Sequence, residues 1–147
     1  GHATRLLDAW KKAEPYPDAV DALRKLEDFD LGIISNIDDD ILSALLRGAG
    51  WEDRFRVVVT SETTRTYKPR PGIFREALRR AQRAAERSLH LGDSPVEDVG
   101  GAKGSGMMAG WVDREGTPRS PGWPEADFSV PDLVKAADLI LATKPGS

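Results

Sequence analysis

Three short stretches hold residues of the types that handle phosphate and a hard metal ion. The first is Gly92-Asp93-Ser94-Pro95-Val96-Glu97-Asp98. Ser94, Pro95 and Glu97 have the spacing of a helix start: serine at the cap, proline at the first helical position and glutamate completing a capping box. That gives Glu97 a structural task and leaves Asp93 and Asp98 without one. Two carboxylates where a strand runs into a helix are what an oxygen-liganded cation such as magnesium takes. The second stretch, Ser35-Asn36, offers a hydroxyl and an amide, and the third, Lys68-Pro69, a cation. The proline disfavours the helical region for Lys68 and keeps it extended.

These residues meet only if the chain carries them to one place, and its patterning does so. Apolar runs of strand length alternate with amphipathic stretches of helix length, which predicts an α/β domain with a largely parallel sheet. Leu31 to Ile34, Val57 to Val59, Leu89 to Leu91 and Met107 to Val112 read as strands, with Asp127 to Val130 as a short edge strand. Helices are expected from Pro17, around Ile41 to Ala49 with Gly50 as the left-handed stop, after Pro71, over Pro95 to Lys103, and over Pro131 to Leu141. Thr4 to Lys12, with Leu6, Leu7 and Trp10 clustered, reads as one further amphipathic helix, and Asp113 to Glu125 as a loop. Ligands bind at the carboxyl ends of the strands in such sheets. Ser35-Asn36, Thr60-Ser61-Glu62 and Gly92-Asp93-Ser94 all fall there, and the helices that follow offer free N–H groups to an anion.

Composition narrows the chemistry. The 147 residues suit one domain and contain no cysteine, which removes disulfides, thiolate catalysis and cysteine-held metals and fits a reducing cytoplasm. A net charge of -3 gives no electrostatic footprint for nucleic acid, and no apolar run is long enough for a membrane span. Arg75, Arg79, Arg80, Arg83 and Arg87 lie off the apolar face of their helix and read as a solvated surface balanced by acids. His90 reads as a strand residue and not a base, and Trp51 and Trp111 as packing. Trp123 is the aromatic placed to line an opening over the strand ends.

The runs Ile33-Ile34-Ser35-Asn36, Tyr67-Lys68-Pro69-Arg70-Pro71-Gly72-Ile73-Phe74 and Leu89 to Ala102 resemble the second, third and fourth motifs of the haloacid dehalogenase superfamily, in order. The resemblance implies a three-layer Rossmann-like core over residues 15–147, following 1–14 as the end of a helical cap segment. It implies that Ser35, with Asn36 and a backbone N–H beside it, binds the transferring phosphoryl group, that Lys68 neutralises charge there, and that Asp93 ligates Mg2+. The family carries its last acid at either of two neighbouring positions, and the capping box favours Asp98 over Glu97. Members that remove halide from haloacids usually lack Gly-Asp at this point, so the chain is more similar to the phosphatase branch. The 31 residues between Asn36 and Lys68 are filled by a helix and a strand, which leaves no room for an inserted cap.

The family's first motif, an apolar strand ending in Asp-x-Asp, has no counterpart before Ser35. Asp8, Asp18, Asp21, Asp28 and Asp30 are present, but none follows an apolar strand in the sequence pattern. The expectation is therefore a core lacking its central first strand and its nucleophile, inactive alone. The gap would be filled by a separate N-terminal segment of the protein, by a strand swapped from a second copy, or by direct closure of its two neighbours. The implied activity is magnesium-dependent hydrolysis of a small phosphorylated metabolite through an aspartyl-phosphate. Two alternatives stand beside it: a noncatalytic module binding an anion or a partner, and a phosphoacceptor domain using Asp39-Asp40, Asp93 and Lys144.

Overall fold

The computed structural model describes residues 4–6, 10–11 and 14–143. Its elements in chain order are β1 (Thr4–Leu6), β2 (Trp10–Lys11), β3 (Glu14–Pro15), α1 (Pro17–Lys25), β4 (Asp30–Ser35), α2 (Asp39–Ala49), β5 (Val57–Thr60), α3 (Ser61–Thr64), α4 (Pro71–Ala81), a 3-10 turn (Ala85–Arg87), β6 (Leu89–Gly92), a π-helical turn (Pro95–Gly100), α5 (Gly101–Gly104), β7 (Met108–Val112), β8 (Phe128–Val130) and α6 (Leu133–Thr143). Six strands form one parallel sheet in the order β5-β4-β1-β6-β7-β8, and β2 pairs antiparallel with β3.

Alternation within the strands makes three layers, because successive side chains of a strand point to opposite faces. Leu31 and Ile33 of β4 and Leu89 and Leu91 of β6 join α1, α2 and α6 on one face. Ile34 and the β5 residues Val57 and Val59 join α4 and α5 on the other, around Ile73, Phe74 and Ala77. Both apolar faces are thus covered by helices, as uninterrupted apolar strands require. Gly110 on β7 is needed where the layers close, since a Cβ there would lie 2.5 Å from the Phe128 ring and 2.6 Å from Leu91.

Local signals set most boundaries. Gly50 ends α2 at φ 74°, Pro17 opens α1, Pro71 opens α4, and Asp132 accepts from Lys135 N–H at 2.8 Å at the start of α6. Asp18 spans two helices, accepting from Leu133 N–H at 2.6 Å and from Arg114 Nη1 at 2.8 Å. Glu76 pairs with Arg79 and Arg80, and Arg83 with Asp30, so these arginines of the α4 segment serve local ion pairs. No helix of the described residues is long and apolar enough to cross a membrane.

The beginning of the chain departs from its helical pattern. Thr4–Leu6, expected inside a helix, is a strand in the middle of the sheet, with Thr4, Arg5 and Leu6 opposite Asp30, Leu31 and Gly32, and Arg5 and Leu6 opposite Leu89 and His90. The cause is tertiary: β4 and β6 present backbone donors and acceptors toward each other, and buried ones must be paired. The expected gap is thereby occupied by the chain's own residues along that stretch. The two-residue strands β2 and β3, the short helix α3 and the 3-10 turn also lay outside the sequence reading.

Gly110→Ala is expected to destabilise the domain by about 1–3 kcal/mol through overpacking, read as a lower urea midpoint with unchanged slope.

Candidate functional site

The sheet delivers Ser35 and Asn36 at the end of β4, Thr60 at the end of β5 in register with Ser35, and Asp93 just past β6. Lys68 arrives on the segment between α3 and α4, where the peptide bond to Pro69 is cis. Asn36 holds the main chain of Lys68 from both sides: its Oδ1 accepts from Lys68 N–H at 2.8 Å and its Nδ2 donates to Lys68 O at 3.3 Å. The amide expected to face phosphate is therefore committed to positioning the lysine.

Below this lies a buried polar cluster. Lys68 Nζ donates to Asp98 Oδ1 at 2.7 Å, His90 Nε2 donates to the same oxygen across 2.9 Å, and Ser94 N–H donates to Asp98 Oδ2 at 3.0 Å. His90 is 0% exposed, Asp98 2% and Lys68 7%. Burial opposes the Asp98 charge, but the His90 hydrogen bond and the Lys68 ammonium outweigh it and hold the carboxyl well below its ordinary range. Burial pushes His90 down, against the pull of Asp98 and with the repulsion of Lys68, so the imidazole stays neutral beside an ion pair that is already balanced.

The helix start is built differently from the capping box. Ser94 Oγ does accept from Glu97 N–H at 3.1 Å, but the carboxylate that returns to Ser94 N–H belongs to Asp98, and Glu97 is exposed. The π-helical turn explains the exchange. Val99 N–H reaches back five residues to Ser94 O, alongside Asp98 N–H, and this wider turn brings Asp98 inward. Gly92 makes the space, because a Cβ on it would lie 2.1 Å from Asp98 Cγ. Asp98, expected as a metal ligand, thus has both oxygens engaged within the protein.

At the neighbouring strand end, Thr60 and Thr63 hydroxyls donate to Asp39, and Glu62 accepts from Asp39 N–H at 3.1 Å. The Thr60 bond, then that of Thr63, lowers the Asp39 pKa. Asp39 joins β5 to α2, which removes it from the acid pair of a phosphoacceptor site, and Lys144 lies outside the described residues.

Asp93 is exposed at the end of β6, and its carbonyl accepts from Trp111 Nε1 at 3.1 Å. Beside it is a cleft of about 210 Å³ lined by Tyr16, Trp111, Arg114, Thr117 and Trp123 among others. Arg114 lies 3.5 Å over the Tyr16 ring, and Trp111 and Trp123 meet edge to face with centroids 6.0 Å apart. Trp123 takes the place expected of it, and Trp111 both packs and lines the opening. Tyr16 and Arg114 carried no sequence signal, as their meeting depends on two distant loops. Among the described residues no group of three or more His, Asp or Glu forms a ready-made metal cage. An exposed carboxylate on a rigid strand end still suits magnesium, which is bound through one or two carboxylates with water and phosphate completing its shell.

The cluster sets a pH dependence of stability. As pH falls below about 6.5 the unfolded chain takes a proton on His90 that the folded chain refuses, and near 3.8 the same begins at Asp98. Both lower stability toward acid, by up to about 1.4 kcal/mol per pH unit for each proton. Denaturant unfolding at pH 7.5 to 5 is expected to show the first loss in the wild type and not in His90→Leu. Gly92→Ala is expected to push Asp98 off Lys68 and lower stability by about 1–3 kcal/mol, read as a lower urea midpoint.

The haloacid dehalogenase-like hydrolase family model matches residues 2–106. Haloacetate dehalogenase H-2 of Moraxella sp. is 28% identical over 142 residues, covering 95% of this chain and 63% of its own length. Phosphoserine phosphatase of Thermus thermophilus is 37% identical over 103 residues, covering 70% and 41%. A HAD-hydrolase of Bacillus subtilis solved bound to magnesium superposes with a TM-score of 0.81 at 25% identity, over 87% of this chain and 57% of that one. The chain spans roughly two fifths to two thirds of the length of these proteins. With the family's model matched over most of its length, and on a fold it shares with a solved relative, the chain belongs to the haloacid dehalogenase-like hydrolase family.

Proposed function

We propose that the chain is the core portion of a magnesium-dependent phosphohydrolase that cleaves phosphate monoesters of a small metabolite through an aspartyl-phosphate. The aspartate nucleophile is not among the described residues, and the chain does not turn over alone. The observation that carries this reading is the Lys68–Asp98 ion pair at the carboxyl end of the sheet, whose acid lies on the same strand-to-helix turn as the exposed Asp93. A lysine restrained by a buried acid is a preorganised cation, of more use to developing negative charge than a mobile one.

Each residue then has a defined task. The Ser35 hydroxyl and the Asn36 backbone N–H donate to phosphoryl oxygens. Lys68 Nζ offsets the charge shared between nucleophile and phosphoryl group. Asp93 holds the metal ion, and Asp98, with both oxygens taken, anchors Lys68 and does not ligate. Bound magnesium would supply charge neutralisation at the phosphoryl oxygens. The cleft of Tyr16, Trp111 and Trp123 borders the site where a leaving group would emerge.

The relatives include a dehalogenase as well as a phosphatase, and Gly92-Asp93 favours the phosphatase because it adds a carboxylate for the metal. The test compares the chain alone with a form extended upstream to the length of its relatives. With an aryl phosphate and magnesium, the extended form is expected to release phosphate, chelation to abolish release, and the chain alone to be inert. Lys68→Ala in the extended form is expected to cost about 100-fold or more in kcat. Chloride release from 2-chloropropionate without phosphate release would replace the reading by dehalogenation. Phosphate binding without turnover in the extended form would replace it by a noncatalytic anion-binding module.

A further inference from the structure

We infer that His90 is a positioning residue of the phosphoryl site, acting through Asp98 to hold the ammonium of Lys68 in place. The inference rests on Lys68 facing phosphate, as proposed above, and adds a part of the site that lies wholly beneath the surface.

Asp98 Oδ1 takes two donors, Lys68 Nζ at 2.7 Å and His90 Nε2 at 2.9 Å, while Oδ2 takes Ser94 N–H at 3.0 Å. Lys68 ends a long flexible side chain and Ser94 sits in a turn. His90 is the contact built into the sheet: it lies within β6, fully buried, its ring perpendicular to that of Phe74 at a centroid distance of 5.2 Å and an angle of 88°. A ring so enclosed cannot swing away, so its Nε2–H fixes where Oδ1 lies, and Oδ1 fixes Nζ.

The same geometry assigns the tautomer. Oδ1 of an ionised carboxylate can only accept, so the proton must be on Nε2, and Nδ1 is bare. Nδ1 is buried and has no hydrogen-bond partner among the described residues. An apolar residue at this position would carry no such orphan, and buried polar atoms without partners are costly and rare. The contact that offsets that cost is the one to Asp98. Burial, with the Lys68 ammonium beside it, outweighs the pull of Asp98 and leaves the imidazole neutral, a donor at Nε2 that adds no charge to the pair.

The test measures binding of inorganic phosphate, in the presence of magnesium, to the chain by titration calorimetry. His90→Leu removes the donor, and His90→Gln restores an N–H at similar reach. Lys68→Ala reports whether phosphate uses Lys68 at all. The expected result is binding weakened about fivefold in His90→Leu, recovered to within about twofold in His90→Gln, and weakened most in Lys68→Ala. Loss in Lys68→Ala with wild-type affinity in His90→Leu would overturn the positioning role alone. Equal loss in His90→Leu and His90→Gln would overturn it too, reducing His90 to packing. Wild-type affinity in Lys68→Ala would overturn the phosphate reading and this inference together. Nitrogen-15 NMR of the wild-type imidazole gives an independent reading however the variants fold: a proton on Nε2 supports the assignment and one on Nδ1 overturns it.

Discussion

The Lys68–Asp98 ion pair is the interaction on which the remainder of the site depends. Two charges placed this deep lose their hydration, and their attraction compensates only when geometry is good and the remaining hydrogen-bonding capacity is used. Each nearby peculiarity serves that condition. Gly92 lacks the Cβ that would strike Asp98, the π-helical turn brings the carboxylate inward, Ser94 N–H and His90 Nε2 occupy the remaining oxygen positions, and Asn36 holds the lysine main chain. The lysine is expensive to bury and is therefore placed with little freedom, the state in which a cation serves electrostatic catalysis best.

A parallel sheet gives this pair its position. Strands β4, β5 and β6 run the same way, so their carboxyl ends lie along one edge and whatever follows each of them gathers there. The edge is divided between structural and chemical work. At β5 the hydroxyls of Thr60 and Thr63 are spent on Asp39, tying the strand to the start of α2. At β4 and β6 the polar groups converge on Lys68 and leave Asp93 exposed. Solved structures named for a phosphatase and for a haloacid dehalogenase share this fold, which agrees with the general rule that a fold hosts chemistries and local residues select among them.

Short-range physics was legible in the residues alone. The apolar runs at Leu31, Val57 and Leu89, the helical repeat from Pro71 to Ala81, the left-handed stop at Gly50 and the proline at the head of α1 are local properties, each decided by a few neighbouring positions. Because strand ends follow from strands, Ser35, Asn36 and Asp93 fall on one edge by pattern alone, while Lys68, which follows no strand, was marked by its motif and by the proline after it. The motifs likewise gave the family.

Tertiary structure decided the rest, where two distant segments compete for one role. Thr4–Leu6 has the clustering of a helix but is a strand, since the inner edges of β4 and β6 need backbone partners and helical preference amounts to only tenths of a kcal/mol per residue. Glu97 has the spacing of a capping box, yet Asp98 closes the cap, because a π-helical turn changes which side chain faces inward and spacing rules assume the ordinary turn. Asn36 and His90 have side chains whose partners lie 32 and 8 residues away, and Arg114 meets Asp18 across 96. Sequence fixes what a residue can donate or accept; which partner it meets depends on where the sheet brings the chain back.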